Sequence, residues 1–158
     1  MRSSGKRIRL CTALLIANLT LIWGNSLLTG EISGAISGFV TEVLGKLFGM
    51  TPGESQGGHG LLRKLAHFSE FACFGALLAW RWTMKGETGN TLITQTLLGG
   101  LLTACVDETI QRYVPDRGSS LLDVWIDFSG VAAGLTILLL GHHYLVVQNH
   151  QNIMEETQ

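Results

Sequence analysis

The stretch "DETIQRYVPDRGSSLLDVWIDFSG", residues 107–130, places seven charged side chains between two apolar segments. The chain as a whole has 158 residues, of which 15% are charged and 46% are hydrophobic. Ionisable side chains inside a membrane are costly unless they face one another or water. The stretch therefore predicts that its flanking helices turn their charges toward a shared polar interior.

Four apolar segments are long enough to be considered as membrane spans, since a spanning helix needs ~20 mostly apolar residues. The segment "LCTALLIANLTLIWG" (10–24) lacks the polar face that a helix of a soluble four-helix bundle would show. We therefore expect an all-α polytopic membrane protein with four transmembrane helices. The predicted spans are about 8–28, 61–82, 91–106 and 121–147.

The connection after the first span predicts a fifth, amphipathic helix. Its apolar side chains recur at helical spacing, and polar side chains fill the other face. Such a helix lies either in the outer membrane interface or folded back onto the bundle. The apolar residues are Ile32, Ile36, Phe39, Val40, Val43 and Leu47. We expect one domain over 1–158, with a core of about 8–147 and a frayed C-terminal tail.

Basic residues before the first span favour a cytoplasmic N-terminus, and four spans would return the C-terminus to the same side. A retained first helix is favoured over a cleaved signal peptide, because "SGA" (33–35) lies too far beyond the apolar run. The N-terminal basic residues are Arg2, Lys6, Arg7 and Arg9.

Composition excludes several function classes. The net charge is −1, and no basic face with interleaved aromatic residues suggests nucleic-acid binding. Cys11, Cys73 and Cys105 lie in separate apolar runs and form no metal-ligand pattern. We expect these cysteines to be small buried residues, and we expect no metal site and no cofactor.

Each span carries one polar stripe, because residues three, four or seven apart share a helical face. The topology above places three of the stripes in the outer half of the membrane, where they would line a common cavity. Asn18 and Asn25 are seven apart in the first span. The stripe of the second span is Lys64, His67 and Glu70, and that of the third is Asp107, Glu108 and Gln111. The stripe of the fourth span is Asp123, Asp127, Gly130 and Gly134. The two glycines of the fourth span permit a close contact with another helix.

The segment "VPDRGSS" (114–120) predicts a tight turn between two walls of that cavity. Pro115 and Gly118 suit the turn, and Ser119 or Ser120 can cap the next helix. Plainer roles compete with function for several residues. His67 could be an ordinary helix contact, Glu108 and Arg112 could form an i,i+4 surface pair, and Asp123 and Asp127 could be structural partners of Arg117 or Lys64.

These motifs resemble the VanZ-like membrane proteins over residues 10–140. "RKLAHFSEFACFGALL" (63–78) resembles the family's basic-x-x-His-Phe motif, and Phe71 stands where some relatives carry Tyr. "DETIQRYVPDRGSSLLDVWIDFSGVAAG" (107–134) resembles its acidic block, and "WGNSLLTGEISGAIS" (23–37) its Asn-Ser opening. The positions that match the family's polar residues are Lys64, His67, Glu70, Asp107, Glu108, Gln111, Arg117, Asp123 and Asp127.

The resemblance implies a bacterial plasma-membrane protein related to resistance against teicoplanin, a lipid-tailed glycopeptide. We expect the cavity to bind a membrane lipid, a lipid-linked cell-wall precursor or the lipoglycopeptide itself. Lys64, Arg112 and Arg117 would contact the anionic part of that ligand, and the acids would orient these bases.

Two other interpretations stay open. An intramembrane enzyme would act on a lipid-linked phosphate, with His67 as a general base oriented by Asp123 or Asp127, or with Mg²⁺ on Asp107 and Glu108. No recognised catalytic motif supports turnover, so binding is preferred. In a purely structural interpretation the charges only fix the register of the bundle.

Overall fold

The computed structural model describes residues 2–48 and 58–156, which form five helices and no strand. The all-α expectation is confirmed. The helices are α1 (Arg2–Leu27), α2 (Gly30–Phe48), α3 (Gly58–Thr83), α4 (Gly89–Arg112) and α5 (Leu121–Glu156).

Among the described residues, two helices, not four, are apolar and long enough on their own to cross a membrane. The qualifying segments are Gly5–Leu27 of α1 and Leu121–Gln148 of α5. Helices α3 and α4 do not qualify, so the expectation of four such helices was wrong by this measure. The charged residues of α3 and the polar residues of α4 interrupt their apolar windows.

Helix α3 is the centre of the bundle, and its most extensive packing is with α5. The backbones approach closely because Gly130 faces the Phe68 carbonyl and Gly134 faces the Ala72 carbonyl. A Cβ atom at either glycine would collide with that backbone. The predicted small-residue contact is therefore present. The core around it consists of Ile22, Phe71, Phe74, Ala104 and Val131.

The distribution of polarity is the reverse of that in a soluble protein. Large apolar side chains such as Leu102, Ile137 and Leu140 are exposed, whereas Asp107 and Asp127 are almost fully buried. In water such an apolar exterior would be a large liability. An apolar surface around a polar interior is what a lipid environment requires.

The predicted amphipathic helix is present as α2 and packs against α3. Ile36 and Val40 of α2 line a cavity shared with α1 and α3. Ile32 and Phe39 remain exposed. The helix thus lies partly against the bundle and keeps an apolar surface free, which combines features of both expected placements. The predicted apolar position Leu47 lies outside the described side chains.

The turn between α4 and α5 is present where the sequence predicts it, and Asp116 within it adopts a left-handed conformation, with φ of 58°. Aspartate is one of the few side chains that tolerates this conformation. The Leu122 amide donates to the Ser120 hydroxyl at 3.1 Å, so Ser120 caps α5 as expected. Helix α5 continues to Glu156, whereas the polar composition predicts fraying there.

We predict that Gly134→Ala lowers the thermal stability of the protein in detergent. The added methyl group must push α5 away from the Ala72 backbone, at a cost of about 1–3 kcal/mol. Gly141→Ala is the matched control, because its Cβ would meet nothing within 4 Å. It should leave the melting temperature unchanged or slightly raise it. Equal melting temperatures for the two variants would contradict the close contact.

Candidate functional site

Asp107 on α4 is the most enclosed acid of the site, with no exposed surface. The Ser26 hydroxyl of α1 donates to its Oδ1 at 2.6 Å. The Gln111 side-chain amide, one turn further along α4, donates to its Oδ2 at 2.8 Å. Hydrogen bonds to a charged acceptor are the strong ones in proteins. This pair of donors therefore fixes the Asp107 carboxylate and joins α1 to α4.

His67 on α3 lies between two acids that come from other helices. Its Nδ1 atom is 3.8 Å from Asp107 Oδ2 and 3.8 Å from Asp127 Oδ1. Both distances exceed the 2.7–3.2 Å of an N–H···O bond. The Nδ1 atom of His67 and the Oδ2 atom of Asp127 are buried without a hydrogen-bond partner in the described part of the chain. The three groups face one another but are not bonded directly.

A second connection between α1 and α3 lies beside this cluster. The Asn25 side-chain amide donates to Glu70 Oε1 at 2.6 Å. The Asn18 amide approaches the Glu70 backbone carbonyl at 3.5 Å, a long contact. The polar stripe predicted for the first span therefore faces the acid predicted for the second.

Arg117 in the α4–α5 turn holds the end of α1. Its Nε donates to the Leu28 carbonyl at 2.9 Å, and its Nη2 donates to the Asn25 carbonyl at 2.6 Å. These bonds satisfy carbonyls that a helix C-terminus leaves free. Its Nη1 is buried without a partner among the described residues. Burial lowers the pKa of the Arg117 guanidinium from its usual value, and the nearby Arg63 lowers it further.

The contacts of three further predicted residues separate the alternatives that the sequence left open: Lys64 approaches Asp123, as one of them expected, whereas the Glu108–Arg112 pair is not formed within the described residues. Glu108 accepts the Ser120 backbone amide at 3.0 Å and forms no ion pair with Arg112 within the described residues. Lys64 approaches Asp123 at 3.5 Å, and the lysine is about half exposed. A pair of this kind contributes little to stability. Arg112 lies on an open surface with Glu108 and Ser119 and does not line the cavity around His67, so its predicted role in binding stays a prediction.

Two cavities border the group formed by His67, Asp107 and Asp127, and His67 lines both of them. The smaller has a volume of about 10 Å³, and its walls include His67, Glu108, Gln111 and Asp127. The larger, of about 200 Å³, lies between α1, α2 and α3. Its wall contains two arginines, Arg63 and Arg117, together with His67 and the acid Glu70. Its apolar side chains include Leu28, Ile36, Val40 and Leu62. We call the larger one the arginine cavity.

The structure thus brings most of the sequence-predicted residues to one end of the bundle. Two residues of the site, Ser26 and Arg63, were not among the residues predicted from the sequence. In the sequence, Ser26 stands out only as part of the Asn-Ser opening, and Arg63 only as the basic residue beside Lys64. Helical spacing does not distinguish Arg63 from Lys64, whereas the structure directs Arg63 into both cavities.

One arrangement bears on the expectation of no metal site. His67, Asp107 and Asp127 offer donor atoms that all lie within 4.8 Å of one another. They come from three different helices, so no spacing in the sequence could indicate them.

The family comparison agrees with the motifs. A model of the VanZ/LLP1 family matches residues 10–142 of the chain. No curated protein and no solved structure matches it.

We predict that Ser26→Ala destabilises the protein by about 1.5–3 kcal/mol, because it leaves Asp107 Oδ1 buried without its donor. Thermal unfolding in detergent measures the loss. Ser129→Ala is the matched control, since that hydroxyl is exposed and bonds only the Ile126 carbonyl of its own helix. If the Ser26 variant is as stable as the Ser129 variant, the hydrogen bond between Ser26 and Asp107 does not contribute to the stability of the protein.

Proposed function

Because the chain belongs to the VanZ/LLP1 family, we propose that it is a multi-pass protein of the bacterial plasma membrane that binds an anionic, lipid-linked component of the cell envelope. The family and the two apolar helices indicate a membrane protein. The number of spans, the orientation and the ligand are the parts that we propose.

The proposed topology has α1, α3, α4 and α5 crossing the bilayer, with both termini in the cytoplasm. Helix α4 contains two acids but directs them inward: Asp107 and Glu108 are buried, while Leu98, Leu102 and Val106 are exposed. A helix can cross a membrane with such residues when neighbouring helices cover them. The lower hydropathy of α4 is therefore compatible with crossing a membrane, and Lys64 of α3, which is about half exposed, approaches Asp123 of α5.

The arginine cavity is the proposed site for the anionic group. Arg117 uses two of its donors on α1 and keeps Nη1 buried without a partner among the described residues. An unsatisfied guanidinium nitrogen is costly unless a ligand or water accepts from it. Arg63 adds a second positive charge on the same wall. This unpartnered donor beside a second cation is the observation that carries the proposal.

The apolar part of the ligand would extend along α2. Ile36 and Val40 line the arginine cavity, and Phe39 is exposed next to them. A phosphate between the arginines and a hydrocarbon chain along α2 would match both parts of the wall. Arginine suits phosphate because its planar donors reach two oxygens at once. Lipid-linked phosphates of the cell-wall pathway have this combination of groups.

Family membership is consistent with a teicoplanin-resistance-type protein. We propose that the chain lowers susceptibility to such lipoglycopeptides, because binding a lipid-linked precursor, or the lipid-tailed drug, would reduce their encounter at the outer surface.

An intramembrane enzyme is the second candidate, and the position of His67 favours it. The imidazole lies within 3.8 Å of two buried carboxylates. Against it, no described residue forms a hydrogen bond with His67 Nδ1, and Asp123 approaches Lys64 instead. Turnover of a bound polyprenyl phosphate would establish the enzyme and displace the binding proposal.

The topology predicts opposite accessibility of two turns. In a variant whose cysteines at 11, 73 and 105 are replaced by alanine, Gly118→Cys should react with a membrane-impermeant thiol reagent on intact cells. Lys85→Cys, in the turn between α3 and α4, should react only after permeabilisation. Labelling of both positions from the same side would refute the four-span arrangement.

We predict that Arg63→Gln weakens the binding of a polyprenyl phosphate about tenfold or more. The substitution removes a charge-assisted contact, which is typically worth about 1.5–3 kcal/mol. Native mass spectrometry of the purified protein with added lipid measures the bound fraction, and the minimal inhibitory concentration of teicoplanin measures the cellular effect.

Arg112→Gln is the matched control for that experiment. It makes the same chemical change on a surface away from the arginine cavity, so it should bind like the unaltered protein. Equal binding by the Arg63 and Arg112 variants would contradict the proposed site, even if the protein binds the lipid elsewhere.

A further inference from the structure

We propose that His67, Asp107 and Asp127 bind one divalent transition-metal ion, with Zn²⁺ as the preferred ion. We call this set the His-Asp-Asp cluster. The proposal goes beyond the lipid-binding function and does not depend on it, because Asp107 and Asp127 are not part of the arginine cavity wall.

The distances suit a metal ion better than direct hydrogen bonds. All donor atoms of the cluster lie within 4.8 Å of one another, and His67 Nδ1 is 3.8 Å from an oxygen of each acid. Ligands that bind one zinc ion at ~2.1 Å in a tetrahedron lie about 3.4 Å apart. The two 3.8 Å separations from His67 Nδ1 are too long for hydrogen bonds and slightly longer than this ligand separation, and the two acids lie within 4.8 Å of each other. Small side-chain rotations would close the cluster around an ion.

Burial provides a second, independent observation. Asp127 is only 1% exposed, and its Oδ2 has no hydrogen-bond partner among the described residues. His67 Nδ1 is also buried and unpartnered there. Buried polar atoms nearly always have a partner, and those without one need an explanation. An ion held between these two atoms would satisfy both of them.

Charge balance points in the same direction. Two buried carboxylates close together repel each other unless a cation or a proton lies between them. Within the described residues no lysine or arginine forms an ion pair with Asp107 or Asp127. Lys64 approaches Asp123, and Arg117 donates to helix carbonyls. A divalent ion would neutralise both carboxylates.

The surroundings of Asp107 resemble the support that metal ligands need. The Ser26 hydroxyl and the Gln111 amide hold its two oxygens from outside the cluster. Such contacts orient a carboxylate toward its metal, and their removal typically lowers metal affinity about 10–100-fold. The ligand at this position is therefore already fixed before an ion arrives.

The donor set also indicates the class of ion. One imidazole nitrogen with two carboxylate oxygens suits zinc, whereas Mg²⁺ and Ca²⁺ prefer oxygen ligands alone. The adjoining cavity of about 10 Å³ has room for one water. Three protein ligands with a water in the fourth position is the arrangement of zinc sites that keep an open coordination position.

The experiment uses the full chain, purified in detergent with a tag that contains no histidine. The protein is first stripped with a chelator, then titrated with Zn²⁺, and the bound metal is counted by native mass spectrometry and elemental analysis. We expect one zinc per chain and a higher melting temperature when zinc is bound. Mg²⁺ should bind at least tenfold more weakly.

Asp127→Asn should lose at least tenfold in zinc affinity and should show no thermal shift with zinc. Asp116→Asn is the matched control, because Asp116 is an exposed residue of the turn outside the cluster. It should bind zinc like the unaltered chain. Ser26→Ala provides a graded variant, with affinity lowered about 10–100-fold but not abolished.

Two results would overturn the metal site. One is no zinc bound to the unaltered chain at micromolar Zn²⁺. The other is equal binding by the Asp127 and Asp116 variants, which would mean an adventitious surface ion. If Asp127→Asn does not fold, His67→Gln replaces it in the same comparison. Lipid binding is measured separately through Arg63→Gln, so failure of one proposal leaves the other distinguishable.

Discussion

The cost of enclosing the Asp107 carboxylate is the constraint on which the site depends. An acid with no exposed surface must receive hydrogen bonds or a counter-charge, because water cannot reach it. Ser26 of α1 and Gln111 of α4 meet this need. Their bonds place α1 against α4 at one end of the bundle, and His67 of α3 joins them there. The contacts that stabilise the buried Asp107 carboxylate therefore also hold α1, α3 and α4 together at this end of the bundle.

The apolar exterior and the polar interior are two results of one physical requirement. Helix α5 approaches α3 closely through Gly130 and Gly134, which excludes bulky side chains from the contact. Phe71, Phe74 and Val131 fill the core beside this contact, while other large apolar residues such as Ile137 and Leu140 point outward, where lipid would accept them. The close contact also brings Asp127 of α5 toward His67 of α3. The glycine contact between α3 and α5 therefore also brings the ionisable residues of these two helices together.

The end of the bundle contains two chemically distinct regions. Arg117 connects the α4–α5 turn to the end of α1, lines the arginine cavity, and keeps Nη1 buried without a partner among the described residues. The His-Asp-Asp cluster contains two buried acids, whereas the arginine cavity has two arginines and one acid, Glu70, on its wall and is bordered by apolar side chains of α2. The two regions meet at His67, which borders both cavities. This adjacency of acidic and basic regions is what an amphipathic, charged ligand would recognise.

The sequence by itself determined the helical class, the amphipathic α2, the family and the convergence of polar stripes, because helical periodicity and hydropathy are local properties. It did not separate Arg63 from Lys64, and it did not show that Arg112 lies on a more open surface, because the rotation of each helix depends on its neighbours. Only the tertiary structure decided that Ser26 partners Asp107 and that Asp127 faces His67. Contacts between residues 60 to 81 positions apart are fixed by interhelical packing, which no local pattern records.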